Sequence, residues 1–215
     1  MVFCRPVCSF AQKDIYVATN GTGIGGTNWS TAYSTFQAAL DVAGAGDTLR
    51  MAGQVIELSG QVNWTSAVPG VTIRGGYAAT NDALLPGDRD PNLWPTILRR
   101  SGAPRFRIFN VVAVTNGLID GVTFTGGYPA DAEFGGGLQI TNSVLTLIGC
   151  IISNNMVYVY YRPNVHGGGV YAINSALILS NCLVAGNQSL NGYGAVSEQT
   201  YGGGLFFVGG QSALL

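Results

Sequence analysis

The residues of this chain that could do acid, base, nucleophilic or metal chemistry are few, and their spacing limits what they can do. Hydrolysis of a glycosidic bond usually needs two carboxylates facing each other across it. β-Elimination of an acidic polysaccharide needs acidic Ca²⁺ ligands and a base. From Phe134 to Ser197 the chain has no Asp or Glu, and besides Tyr and Cys only Arg162 and His166 ionise there. A catalytic cluster therefore falls on Asp120, Asp131 and Glu133, or on the loop carrying Asp82, Asp88 and Asp90. That loop could hold Ca²⁺ through oxygen ligands, with Asn81 and Asn92 nearby. Its spacing fits no calcium loop, and a solvated turn in which Asp88 and Asp90 cap backbone N–H groups around Arg89 is the favoured reading.

His166 and two of the cysteines are read through a repeat. Gly135-Gly136-Gly137 opens a run through Asn142-Ser143, Leu145, Leu147 and Cys150 to Asn155; Gly167-Gly168-Gly169 opens another through Asn174-Ser175, Leu177, Leu179 and Cys182 to Asn187. The period is 32 residues (Gly135 to Gly167), and Gly202-Gly203-Gly204 restarts it after 35 (Gly167 to Gly202). Phe134, His166 and Tyr201 each precede the glycines, so these three flat side chains stack as a ladder, and no carboxylate nearby in sequence orients His166 as a base. Cys150 and Cys182 share a position. Stacked at roughly 4.8 Å they come within disulfide range, but parallel side chains leave their Cβ atoms wider than a bridge prefers. Two buried thiols are the favoured reading; zinc would need further ligands.

The elements that position these residues are strands. Leu145-Thr146-Leu147-Ile148 and Leu177-Ile178-Leu179 are short apolar runs bounded by Gly, Asn and Ser, too short for helices. A period in this range points to a solenoid, in which strands recurring at one register stack in parallel. Asn142 with Asn174, and Asn155 with Asn187, are expected to form amide ladders at the corners, where Asn also tolerates left-handed backbone. The segments 156–166 and 188–201 leave the repeat at one place and carry Tyr158, Tyr160, Tyr161, Arg162, Tyr193 and Tyr201, the candidate binding residues for a sugar or a partner protein.

The run of three glycines, Asn-Ser, Leu, Cys and a closing Asn resembles the right-handed parallel β-helix repeats of secreted and cell-surface bacterial proteins, the pectate-lyase-like and polymorphic outer-membrane-protein-like repeats. Gly46-Asp47-Thr48, Gly75-Gly76-Tyr77, Asp88-Arg89-Asp90-Pro91 and Pro95-Thr96-Ile97-Leu98 resemble the same families in that order. The resemblance implies an all-β, right-handed parallel β-helix with a short N-terminal capping helix. It is weak for function, because that scaffold carries pectate lyases, polygalacturonases, epimerases, adhesins and autotransporter passengers.

The capping helix is expected where Ser34 and Gln37 form a capping box, Phe36, Ala39, Leu40 and Ala43 recur on one face, and Gly44 follows. Residues 1–12, with Cys4 and Cys8, read as the remnant of a secretion signal or a disordered start. Residues 13–215 read as the β-helix domain: cap and irregular coils over 13–117, then regular repeats over 118–215. Further expected strands are Ile15–Val17, Thr48–Met51, Val55–Leu58, Val71–Ile73 and an alternating pair over Arg105–Val114.

Only 10% of residues are charged, 32 are glycine and the net charge is −1, which argues against a nucleic-acid partner; no apolar run is long enough to span a bilayer. The function expected is a secreted or surface-displayed module with an adhesive, structural or glycan-binding role, non-catalytic and without a cofactor. The alternative is a polysaccharide lyase or glycoside hydrolase acting on an extended acidic polysaccharide. Further coils or a capping domain are expected after Leu215, since the third repeat has only begun there.

Overall fold

The computed structural model describes residues 11–65, 68–80, 82–102, 104–129, 134–160, 165–192 and 200–214. They are mostly strand with one α-helix, and the parallel sheets curl into a half-barrel. β1 (Asp14–Val17) and a loop through Trp29 lead to α1 (Phe36–Asp41). Then come β2 (Thr48–Ala52), β3 (Val55–Leu58), β4 (Val62–Trp64), β5 (Thr72–Tyr77), β6 (Thr96–Arg100) and β7 (Phe109–Val112). β8 (Gly117–Asp120), β9 (Val122–Thr125), β10 (Leu138–Thr141), β11 (Val144–Ile148) and β12 (Ile151–Ser153) follow. The remainder is β13 (Met156–Tyr160), β14 (Val165–His166), β15 (Val170–Ser180), β16 (Leu183–Ala185), β17 (Gln188–Gly192), β18 (Thr200–Tyr201) and β19 (Leu205–Leu214).

Every ladder between these strands is parallel, and the strands form three main stacks. The first runs β1-β2-β5-β8-β11-β15, the second β3-β6-β9-β12-β16 and the third β4-β7-β10-β15. The chain visits the stacks in a fixed rotation, so β2, β3 and β4 are succeeded one layer on by β5, β6 and β7. β15 serves two stacks: Val170–Ile173 pairs with β10 and Ala176–Ser180 with β11. Equal offsets in sequence thus become neighbours in space, as at Leu145↔Leu177 and Ile151↔Leu183.

In a strand alternate side chains face one way, so in-register stacking builds continuous apolar columns. Ile15, Leu49, Ile73, Ile119, Leu147 and Leu179 form one column, all at 3% exposure or less. Ile56, Leu98, Phe124 and Ile152 form a second, and Trp64, Val111, Ile140 and Ala172 a third. Each fully buried side chain of this size stabilises by about 1.5–3 kcal/mol. The columns meet in one core, where Phe109 lies between Phe36, Trp64 and Phe124.

The corners need left-handed backbone, and one corner takes Ala113, Asn142, Asn174 and Gly209 in successive layers, with φ between 48° and 63°. Asn and Gly adopt that conformation at least cost, which is why they punctuate the repeat.

Several local expectations are corrected. The helix is Phe36–Asp41, capped by the Thr35 hydroxyl and not by Ser34. Gln37 reaches across to β4, where its amide exchanges two hydrogen bonds with the Asn63 backbone, and Phe36, Ala39 and Leu40 are buried. Of Arg105–Val114 only Phe109–Val112 is strand, and Leu177–Leu179 lies inside the longer β15. Gly75-Gly76-Tyr77 ends β5; Gly76, at φ 90°, packs so close to Pro91 that a Cβ would overlap it. β4 had no clear signal beyond Val62 and Trp64, because three residues are too few to show alternation.

Candidate functional site

The polar residues of the repeats are joined to their equivalents one layer away. Asn155, fully buried, donates its amide to the Asn187 side-chain carbonyl at 3.0 Å and to Phe124 O at 3.1 Å, and accepts from Gly127 N at 2.8 Å. This is the expected amide ladder. At the other corner the serines carry the ladder instead: Ser143 Oγ accepts from Val114 N and Ser175 Oγ from Ser143 N, both at 3.1 Å. Asn142 and Asn174 supply the left-handed turn there. Left unpaired, buried polar groups of this kind cost about 1–3 kcal/mol each, so these side chains are committed to the scaffold.

Phe134, His166 and Tyr201 are neighbours in successive layers, as their equal positions require. Ring centroids are 5.5 Å apart for Phe134 and His166 and 5.2 Å for His166 and Tyr201. Tyr171 and Phe206 add a second column: Tyr171 lies 4.5 Å from Phe134, and Phe206 lies 4.1 Å from His166 at an interplanar angle of 8°. Near-parallel rings this close cover one another's faces. Tyr201, at 42% exposure, is the most accessible residue of the array. Two aromatic residues the sequence reading left out, Tyr171 and Phe206, belong to it. Their equal offsets after Gly167 and Gly202 carried that signal.

The two excursions also stack. β13 pairs with β17 from Met156↔Gln188 to Tyr160↔Gly192, and β14 pairs with β18. Val157, Val159 and Val165 form a small core of their own. Arg105 fixes the base of the excursion, its guanidinium 4.0 Å from the Tyr128 ring and donating to Tyr158 O and Pro129 O. Among the candidate binding residues, Tyr158 is half-buried and Tyr201 exposed. The Tyr160 backbone lies in β13. Tyr161, Arg162 and Tyr193 lie outside the described residues, as do the candidate carboxylates Asp131 and Glu133.

Asp120, the remaining carboxylate of that set, sits on the outer face of the first stack. Arg50, Arg74 and Asp120 occupy one register across β2, β5 and β8. Arg89 bridges to Asp120 at 2.7 Å, Arg74 approaches it at 4.0 Å, and Arg50 pairs with Asp14 at 2.9 Å. Arg50 and Arg89 both lie against the Tyr77 ring. Beside Asp120 a groove of about 440 Å³ is lined by Arg89, Asn92, Asn181, Ile151 and Leu183. The sequence reading missed Arg50 and Arg74, although Thr48-Leu49-Arg50 and Thr72-Ile73-Arg74 repeat one pattern in strands that pair. Arginine forks of this sort recognise carboxylates. A further arginine, Arg107, is largely desolvated, which brings its guanidinium down to about 10.

The three calcium candidates do not converge on one point. Asp82 accepts from the backbone N–H groups of Trp29 at 2.7 Å and Ser30 at 3.2 Å. Hydrogen bonding to Ser30 and Trp29 holds its carboxyl below the usual value. Asp90 caps Asn92 N at 2.8 Å, and Asp88 contributes its backbone carbonyl to Ala78 N. Asn81 lies outside the described residues. Among the described residues no three His, Cys, Asp or Glu side chains gather in a form that would hold a metal.

Cys150 and Cys182 are both free thiols one layer apart. Cys150 Sγ lies 3.4 Å from Ile148 O and 3.6 Å from Ile119 O; Cys182 Sγ lies 3.4 Å from both Ser180 O and Leu147 O. The nearness of Cys150 draws the Cys182 thiol down, while the nearness of Cys182 and burial push the Cys150 thiol up.

No helix among the described residues is long and apolar enough to cross a membrane. No protein-family model, curated protein or solved structure matches the chain.

Proposed function

We propose that the chain is a right-handed parallel β-helix module of the secreted or surface-displayed kind, serving as a non-catalytic adhesive or structural scaffold with extended glycans as its ligands. The reading of the scaffold is supported by the fixed rotation of the chain through three in-register stacks. The observation that carries the functional reading is the commitment of the repeat's polar side chains, Ser143, Ser175, Asn155 and Asn187, to bonds that run from layer to layer. Contact with a ligand then falls to groups outside the repeat: the arginine row on the first stack and the tyrosines of the excursions. Arginine forks suit the carboxylates of an acidic polysaccharide.

The test is incubation of the full chain with polygalacturonate, pectin and alginate, with and without Ca²⁺, alongside sedimentation with the same polymers in insoluble form. Co-sedimentation without release of unsaturated or reducing ends is the expected result, and Arg74→Ala should weaken it. Failure to sediment with any polymer would remove the glycan from the proposal.

A second reading, a polysaccharide lyase or glycoside hydrolase, is favoured by one feature: Asp120 held between Arg74 and Arg89 at the rim of a groove. Turnover abolished by Asp120→Asn, Asp131→Asn or Glu133→Gln would establish it in place of the scaffold.

A further inference from the structure

The N-terminal side of the three stacks ends in the strands β1, β3 and β4, and the chain covers the edges of two of them. On β1, Tyr16 N donates to Gly26 O and Tyr33 N to Tyr16 O, both at 2.8 Å. On β4, α1 lies where a strand would, and Gln37 bonds both the N–H and the C=O of Asn63. In the rotation of the chain, the cover of β3 falls to residues 18–35, between β1 and α1. These turn away instead, with Trp29 buried against Tyr16 and Tyr77 and its backbone N–H held by Asp82. The open edge is therefore set by the path of a described segment. Ile97 N donates to Gln54 O and Ser101 N to Leu58 O, both at 2.9 Å, so Gln54, Ile56 and Leu58 direct their backbone groups at β6. Alternate residues of a strand face opposite edges. Val55 and Glu57, both exposed, direct theirs at the open side, where none of the described residues bonds them. A groove of about 260 Å³ lies between the start of α1 and β3, lined by Phe36, Gln37, Ile56, Glu57 and Leu58 among others.

We propose that the open edge of β3 is a docking site for an extended segment of another protein, which adds to it as a further parallel strand. β6 shows which side chains β3 accepts: Ile97 lies beside Val55, Leu98 beside Ile56 and Arg99 beside Glu57. A parallel ladder sets like positions side by side at either edge, so the segment carries an aliphatic residue beside Ile56 and an arginine or lysine beside Glu57. Glu57 has a place for that cation. Arg99 engages its carboxylate through Oε1 alone, and the side chain is 44% exposed, which leaves Oε2 for the incoming charge. A second copy of the chain fits less well than a single strand. Two copies joined edge to edge at β3 would run antiparallel about a two-fold axis normal to the sheet. That axis sets both α1 helices on one side of the joined sheet, facing each other across the seam, where α1 already walls the groove.

The experiment titrates the full chain into a capped, fluorescein-labelled peptide with the sequence of residues 95–101, which contains β6 and so carries both required side chains at the required spacing. Saturable binding, read by anisotropy, is the expected result. Two changes to the peptide should each weaken it by about tenfold or more. One is N-methylation at the copies of Leu98 and Arg100, whose amides would donate to Val55 O and Glu57 O; the other replaces both arginines by glutamate. Glu57→Arg in the protein should reverse the order of the arginine and glutamate peptides. In the unaltered chain the Val55 and Glu57 amides should exchange rapidly with solvent, and saturating peptide should slow both by about tenfold or more. The exchange result is decisive whether or not the variant folds. No binding of the arginine peptide, equal binding of its N-methylated form, or unchanged exchange of the two amides at saturation would each overturn the proposal.

Discussion

The side-chain carbonyl of Asn187 accepts two hydrogen bonds from Asn155, one from its amide and one from its backbone N–H, both at 3.0 Å. Asn155 reaches in the other direction to Gly127 N and Phe124 O, so one buried side chain ties three layers together. A network of this kind is valuable only while every member is paired.

Asn155→Ala should therefore lower unfolding stability in urea by about 1–3 kcal/mol, because Gly127 N is left buried without the side-chain oxygen it donates to. Asn155→Asp should be worse, since a carboxylate oxygen would face the Phe124 carbonyl. Asn187→Ala, at a half-buried site, should cost less than either. Equal losses for all three would show that the network contributes nothing beyond packing.

His166 distinguishes architecture from catalysis. Its ring lies close to Phe134 and Phe206 at interplanar angles of 20° and 8°, and such contacts contribute about 0.5–1.5 kcal/mol each. His166→Phe should keep stability within about 1 kcal/mol, and His166→Ala should lose about 1–3 kcal/mol. Thermal unfolding of both variants supplies the comparison; a large loss in His166→Phe would point to a role for the imidazole nitrogens.

Asp82 ties the loop through Trp29 and Ser30 to the segment after β5. Bonding to Ser30 and Trp29 holds its carboxyl below the ordinary 3.8. The folded value is the lower one, so the contribution is fully present above the ordinary value and is lost as pH falls through the folded one. The indole N–H of Trp29, which donates to Pro86 O at 3.1 Å, reports on this loop. Its NMR resonance should move in acid with a midpoint below the usual carboxylate range, and Asp82→Asn should remove that transition.

Arg89 fastens the long segment between β5 and β6 by donating to Gly75 O at 2.8 Å and to the Asp120 side chain at 2.7 Å. Arg89→Lys keeps the charge but not the fork that makes both bonds. Exchange of the Ala78 and Asp90 amides, which bond to Asp88 O and Gly76 O, should accelerate about tenfold in either Arg89→Lys or Arg89→Ala. Unchanged exchange in Arg89→Lys would assign the effect to charge alone.

Periodicity determined much of this protein without reference to any coordinate. Once Gly135 and Gly167 open matching runs, in-register parallel pairing places Leu145 beside Leu177 and Cys150 beside Cys182, because equal offset means equal position. The left-handed corners were legible too, since few residues other than Gly and Asn turn there at low cost. Tertiary structure decided what crosses between non-equivalent positions. Arg89 meets Asp120 and Asp82 meets Trp29 across 31 and 53 residues, and Arg89, Asp82 and Trp29 lie outside the strands, where no period carries the register. The same limit explains the helix cap: Thr35 and Ser34 are chemically alike, and the choice follows from how Phe36 and Leu40 must face the core, with Gln37 free to bind Asn63. Sequence determines a repeat because each layer templates the next; packing alone decides the loops, which have no neighbour of their own kind.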